Sequence, residues 1–391
     1  MILNTIINNR YIMKAIKIIN IILLFIILVC CKEKVHEEIM IDTSNIEVEK
    51  NVCADSIVES VSYIPLETKE SCLISNIKNL IIYDSLVYIL NRTNGDEELL
   101  IFNLEGAFVQ KVGTMGNGPD EYLAIAGFCI NPYDKTIELF DQLKKKKHKY
   151  NLIGEYIKST NISVNCSLTN KIRYISENKL IVVNDINSFG EPLIYVCDGD
   201  LNHVKIIYDP PLKFDGGYQY AKNPISDYSN FLIVPLSNKV FEISNNDLKS
   251  VYNILISSKY LPANEVKEGG EYEEIMSSVK EKGFIQFYSI FETSTSLLVE
   301  DFNYTIIINK KSNKGIAFES LNPSNNILPF STSSFLCVYN DSFVGVLTSS
   351  DLETASEYYK KNNVVPTSVI SNLIHYNEFD LNPILCIYHL K

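Results

Sequence analysis

Short apolar runs alternate with short polar turns through most of the chain. The recurring unit is a hairpin, in which an apolar strand meets a turn of Asp, Ser, Asn, Glu or Lys and returns as a second apolar strand. Six copies stand out. The first covers residues 77–83, turns at Asp84-Ser85 and returns over 86–90. Residues 128–130 turn into 137–140, 172–175 into 180–183, and a weaker fourth copy turns at 227–230 into 231–234. The fifth runs from 287–291 into 297–299, and the sixth from 335–339 through Asn340-Asp341 into 343–347. The turns recur every 45 to 65 residues or so, in the range of propeller blades. Third strands follow at 99–102, 193–196, 240–243 and 305–308. The pattern predicts an all-β chain, a six-bladed β-propeller of four-stranded antiparallel blades over residues 57–391. A β-sandwich is the alternative, and it leaves six similar hairpins unexplained.

Residues 102–109 align with 150–157 at a fixed offset, each an aromatic-ending strand followed by a Gly-containing turn (Gly106, Gly154) and another apolar strand. Two segments break the β pattern. Residues 262–283 read as a charged helical insertion between blades four and five. Residues 351–361 read as a short helix with Asp351 as N-cap and Lys360-Lys361 at its C-terminal end. Insertions of this kind emerge on one rim and can flank a binding surface.

The N-terminus has a different character. Lys14 and Lys17 precede an unbroken apolar stretch over 21–29, which ends at Cys30-Cys31. This is the order of a secretory signal, and 28–31 resembles a lipobox, with Cys31 the residue that receives the lipid. A plain signal anchor is the alternative. Residues 1–31 are therefore assigned as the lipoprotein signal and 32–56 as a charged tether. No later run approaches the roughly 20 apolar residues of a spanning helix, so the body is expected to be soluble and held on a membrane only through its lipid.

The 391 residues carry 35 basic and 47 acidic side chains, a net charge of −12 that becomes about −15 once Arg10, Lys14 and Lys17 leave with the signal. Such a surface repels nucleic acid. The basic run Lys144 to Lys147 with His148 and Lys149 is read as an exposed hairpin turn. Cys30 and Cys31 belong to the signal. The other seven cysteines contain no C-x-x-C pair, and Cys129, Cys337 and Cys386 sit in apolar strand patterns, so a disulfide framework is not expected.

Three stretches resemble the six-bladed propeller lipoproteins of Bacteroides-type bacteria, relatives of the NHL-like propellers. Residues 61–68 (VSYIPLET) resemble that family's opening strand. Residues 106–122, with Gly113, Gly116, Gly118, Pro119, Glu121 and Tyr122, are similar to its turn ending in G-x-G-P-x-E-Y. Residues 380–388 look like its closing strand. The resemblance implies that residues 61–66 complete the blade containing 384–388 and so close the ring; from its N-terminal signal the protein is expected in the cell envelope, and it is expected to be a monomer. The family has no settled activity.

The glycine-rich stretch 113–119 is not a nucleotide loop, since Pro119 and a β-type segment stand where a phosphate-binding helix would begin. Its glycines are read as permitting left-handed backbone between blades, with Glu121 accepting from free amides of the turn. The five histidines are dispersed, without H-x-H, H-E-x-x-H or G-x-S-x-G, and no catalytic or metal-ligating set is assigned. Tyr218, Tyr220 and Tyr228, beside Asp215, form the candidate ligand-binding set, because amphipathic tyrosines near carboxylates suit a sugar or a peptide. The sequence thus supports an envelope binding or scaffolding module for a glycan, a peptide or an outer-membrane protein. A propeller hydrolase or lyase with its site in the central channel is the alternative, and no cofactor is indicated.

Overall fold

The computed structural model describes residues 38–42, 45–93, 95–163, 169–185, 193–202, 204–209, 220–244, 247–256, 286–301, 303–330, 335–376 and 381–391, with isolated helical positions at Glu274, Ser277, Glu281 and Lys282. Cys31 and most of the expected 262–283 insertion lie outside the described residues, as do Asp215 and Tyr218. The compact unit that carries the propeller spans Met40–Lys391.

The described chain opens with three strands: β1 (Ile39–Ile41), β2 (Ile46–Cys53) and, after the single turn α1 (Ala54–Ile57), β3 (Val58–Pro65). The blades follow. Blade 1 holds β4 (Ile77–Tyr83), β5 (Leu86–Thr93), β6 (Asp96–Asn103) and β7 (Phe108–Val112), and blade 2 holds β8 (Ile125–Asn131), β9 (Thr136–Asp141), β10 (Lys146–Asn151) and β11 (Tyr156–Asn161). Blade 3 holds β12 (Thr169–Ser176), β13 (Lys179–Asn184), β14 (Ile194–Asp198) and β15 (Lys205–Tyr208). Blade 4 is built on β16 (Phe231–Ile233), β17 (Lys239–Ser244) and β18 (Asp247–Ile254). Blade 5 holds β19 (Phe287–Glu292), β20 (Ser296–Asp301), β21 (Thr305–Asn309) and β22 (Lys314–Asn322). Blade 6 begins with β23 (Phe335–Tyr339) and β24 (Ser342–Leu347), passes through helices α2 (Ser349–Asn362) and α3 (Ser368–Tyr376), and ends with β25 (Ile384–Leu390). The six antiparallel sheets bear out the propeller fold.

The innermost strand of blade 4 is the short segment around Asn223 and Ile225. It bridges β19 in parallel (Asn223 to Ser289) and β16 antiparallel (Ile225 to Leu232), so the turn over 227–230 is a first-hairpin turn like the others. In blades 1 and 6 these turns, Asp84-Ser85 and Asn340-Asp341, have positive φ at both central residues, which matches the right-handed twist of the flanking strands.

The three N-terminal strands lace three consecutive blades. β1 lies beside β18, β2 runs parallel to β22 as a fifth strand of blade 5, and β3 pairs antiparallel with β25, from Ile384 opposite Pro65 to Leu390 opposite Val58. Residues 39–53, which the sequence places in a tether, therefore carry two outer strands. Ile41, Ile46, Val52, Ala54 and Val58 are the buried anchors of the lace. The long apolar strands bury their side chains between neighbouring blades: Phe291, Phe318, Phe335 and Tyr388 between blades 5 and 6, Leu80, Ile89 and Val344 between 6 and 1, and Phe128 and Leu139 between 1 and 2. Cys129, Cys337 and Cys386 are buried and free.

The outer hairpins repeat in detail. Gly106 N donates to Asn103 O (3.0 Å), Gly154 N to Asn151 O (2.9 Å) and Leu201 N to Asp198 O (2.9 Å). The donors have φ of +85°, +85° and +58°. Leu201 accepts the left-handed backbone because its side chain is fully buried between blades 2 and 3.

Three readings of the sequence change. The basic run is not a solvated turn: β10 starts at Lys146, and Lys147 and His148 are buried. The charges are absorbed by neighbours, Lys147 by Glu138 (3.3 Å) and Lys149 by Asp134 (2.5 Å) and Glu138 (3.2 Å). Lys144 Nζ donates to the carbonyls of Gly118 (2.8 Å) and Glu121 (2.7 Å), pinning the glycine-rich turn. In that turn only Gly113 is left-handed (φ +64°). Gly116 and Gly118 are needed for close approach instead, because a Cβ at either would meet the Glu121 carboxylate, whose Oε2 accepts from Gly118 N (2.6 Å). The cap of α2 is Thr348, not Asp351. Asp351 is the third helical residue and completes a capping box, since Thr-x-x-Asp lets hydroxyl and carboxylate satisfy each other's backbone amides.

Candidate functional site

The ring has two unlike ends. At one end stand the first-hairpin turns, joined around the rim by direct contacts. Tyr83 OH reaches Pro132 O (3.5 Å), and the rings of Tyr133 and Tyr174 meet edge to face (6.2 Å). Arg173 donates to Asp227 O (3.1 Å), Ser229 O (2.6 Å) and Asn230 Oδ1 (3.1 Å). Ser229 bonds Glu292, and Ser294 bonds Asp341 through both its amide and its hydroxyl (2.5 Å each). Lys171 Nζ donates to buried Asn223 Oδ1 (2.7 Å) and lies 3.4 Å from Asp227. Burial pushes the Arg173 guanidinium below its ordinary value, against the pull of Asp227 and Glu292.

Two of the sequence-selected tyrosines are described. Tyr220 is 1% exposed, with its hydroxyl 3.4 Å from Ile233 O. Tyr228 is 56% exposed, and Lys310 Nζ lies 5.3 Å from its ring centre while also binding Glu292 Oε1 (2.5 Å). The structure thus separates Tyr220 in the core from Tyr228 on a turn. The polar groups at this end are largely spent on one another.

The opposite end is where second-to-third-strand connections and blade-to-blade crossings emerge, including α2 and α3. Here lies a cavity of about 490 Å³. Its apolar wall is Ile74, Ile77, Leu336, Val346, Leu381 and Pro383. Its polar wall comprises Ser75 and Asn76, Lys222 beside blade 5, and Thr348, Ser349, Ser350 and Asp351 at the start of α2. Among the described residues, no aromatic ring lines it.

Two buried asparagines hold the 67–77 wall. Asn91, fully buried on β5, accepts from Ser75 N (2.9 Å) and Asn76 N (3.2 Å) and donates to Leu73 O (2.9 Å). Asn382, 4% exposed, accepts from Ile74 N (2.8 Å) and donates to Glu67 O and Cys72 O (2.8 Å each). The α2 side is fixed by the capping box, in which Asp351 Oδ2 accepts from Thr348 N (2.8 Å) and Oγ1 (2.6 Å). Burial lowers the Lys222 pKa, opposed by the charge of Glu300. The cavity is preformed, and its described lining sets Lys222, Asp351 and several hydroxyls beside an aliphatic wall. It can bind and orient a small polar molecule.

Sequence reasoning missed this constellation, although Asn382 falls within the closing-strand resemblance and Thr348-x-x-Asp351 is a legible helix start. Among the described residues, no group of three or more His, Cys, Asp or Glu could hold a metal ion.

Comparison with known proteins agrees with the architecture. The fold is similar to that of a protein named as exported from Bacteroides fragilis, with 19% identity, a TM-score of 0.70, and coverage of 90% of this chain and 100% of that one. A DUF4221 family member from Bacteroides vulgatus follows, at 13% identity and a TM-score of 0.48, over 85% of this chain and 97% of that one. No curated protein matches the sequence. Residues 37–389 match the family described as a domain of unknown function, DUF4934, and the chain belongs to that family.

Proposed function

We propose that the chain is an exported, lipid-anchored binding module of the cell envelope, with its ligand seated in the cavity at the insertion-bearing end of the propeller. The observation that carries this reading is the preformed cavity, walled by strand ends of blades 1 and 6, α2 and Lys222, and held by Asn91 and Asn382. Export and anchoring are supported by the signal-like N-terminus ending at Cys31 and by the likeness of the fold to a protein named as exported. A glycan, a peptide or a segment of an outer-membrane protein is the ligand class.

Hydrogen exchange of the mature protein, with and without hits from arrayed glycans and envelope peptides, tests the location. Protection is expected at 73–77, 346–351 and 381–383. Protection confined to the turns at 84–85, 227–230 and 340–341 would move the site to the other end, and no saturable binding would count against a binding module. Anchoring is tested by Cys31→Ala, which should abolish acyl labelling and release the protein from membranes. Retention of both would refute that part.

A further inference from the structure

We infer that a second cavity, between β22 and α2, takes a primary ammonium that carries an apolar group: a free aliphatic or aromatic amine, or a peptide N-terminus with an apolar first side chain. The inference goes beyond the site proposed above and stands independently of it.

This cavity, of about 360 Å³, is walled by the end of β22 with the residues that follow it and by the first half of α2. Leu321, Leu328, Phe330, Leu347, Leu352 and Ala355 form its buried apolar floor. Its more exposed lining holds two carboxylates, Glu319 and Asp351, and the ring of Tyr358. Among the described residues, no Lys or Arg lines it. Glu319 is exposed and has no hydrogen-bond or ion-pair partner among the described residues. Asp351 spends Oδ2 on the helix cap, and among the described residues nothing donates to Oδ1.

An apolar floor beneath negative charge at the mouth is the complement of an apolar tail that ends in a cation. The tail leaves water against Leu328, Phe330 and Leu352, the part of the contact that grows with each methylene. The ammonium stays at the mouth, where it keeps part of its hydration, donates to Glu319 and to Asp351 Oδ1, and is attracted to the Tyr358 ring. A carboxylate in the same place would be repelled, and an uncharged head would gain less.

Nuclear magnetic resonance titrations of the mature protein with hexylamine, ethylamine, hexanol and hexanoate test the two halves of the site. Hexylamine should bind saturably. Ethylamine, four methylenes shorter, should bind about 100-fold more weakly, and hexanol about 10-fold more weakly, the scale of a charge-assisted hydrogen bond. Glu319→Gln should weaken hexylamine about 3- to 5-fold and leave hexanol unchanged, a split that general loosening of the fold would not give. Ala355→Leu, which fills the floor, should weaken both. Phenethylamine and phenylalanyl-glycinamide tell the two sources apart: tighter binding of the dipeptide amide, lost on N-acetylation, assigns a peptide N-terminus, and weaker binding assigns a free amine. If hexanol or hexanoate binds as tightly as hexylamine, if Glu319→Gln leaves hexylamine unchanged, or if no probe binds, the assignment falls. Binding at the first cavity, read from exchange at 73–77 and 381–383, is untouched by any of these outcomes.

Discussion

Replacing Asn382 by alanine tests whether the cavity wall is held as described. The side chain is 4% exposed and makes three hydrogen bonds of 2.8 Å, to Ile74 N, Glu67 O and Cys72 O. Each is worth about 1 kcal/mol net, and a donor left buried without a partner adds about 1–3 kcal/mol. Glu67 O keeps the Cys72 thiol as a donor, so Ile74 N is the group most exposed to that penalty. The expected loss is about 3–5 kcal/mol. For the unit Met40–Lys391, an unfolding entropy of about 2.1 cal/mol/K per residue converts this into a fall in melting temperature of about 4–7 °C. Asn103→Ala is the control. Its carboxamide also caps two backbone amides, Glu105 N (3.1 Å) and Ala107 N (2.8 Å), but on an exposed turn where water can substitute. It should cost about 1 kcal/mol. Calorimetric melts of both variants decide the matter. If Asn382→Ala melts no lower than Asn103→Ala, the wall is held by something else and the preformed cavity loses its physical basis.

Gly95→Ala and Gly106→Ala both place a Cβ at positive φ, a cost of about 1 kcal/mol. Gly95 faces open space, whereas the added carbon at Gly106 overlaps the Pro65 carbonyl oxygen at the end of β3. Urea denaturation should therefore show Gly106→Ala about 2 kcal/mol or more worse than Gly95→Ala, and equal costs would contradict the docking of β3 on blade 1. Burial pushes the Asp301 carboxyl up to about 6, against hydrogen bonds from Asn303 N and Tyr304 N. Because the folded state then holds the proton more tightly than the unfolded chain, this group's contribution to stability declines as pH rises from about 4 through about 6. Asp301→Asn keeps the Oδ1 acceptor and should flatten that decline in urea midpoints, and an unchanged pH profile would refute the assignment. Finally, a chain lacking residues 38–53 should still melt cooperatively, because β3 still closes blade 6, while one lacking 38–65 should lose its cooperative transition by circular dichroism. Equal behaviour of the two would show that β3 is not the closing element.

Much of the architecture was legible because it rests on local pattern. Asp84-Ser85 and Asn340-Asp341 mark hairpin turns in any context, and the 48-residue repeat between 102–109 and 150–157 survives as superimposable turns. The lace was not. Only Ile46 and Val52 are buried in β2, so its remaining polar residues read as a solvated tether, and nothing local announces a parallel partner at Gly315–Asn322. Lys147 and His148 were misread for the opposite reason, since their type suggests solvent while Glu138 and Asp141, on the neighbouring strand, receive them inside. The cavity was invisible because its walls come from residues some 300 positions apart, and Asn382 acquires its role only when Ile74 arrives beside it.

The lace also sets an order of events in biosynthesis. β1, β2 and β3 leave the ribosome, and cross the membrane if the chain is exported, before any of their partners exist: β18 follows some 200 residues later, β22 some 270, and β25 only at the C-terminus. Contacts of such separation form slowly, because the intervening chain must first be drawn together. β3 is thus made early and placed last, and until β25 is complete blade 6 presents an unpaired edge of the kind that invites aggregation. A chain cut short by its last eight residues would leave β3 and β24 without the strand that joins them.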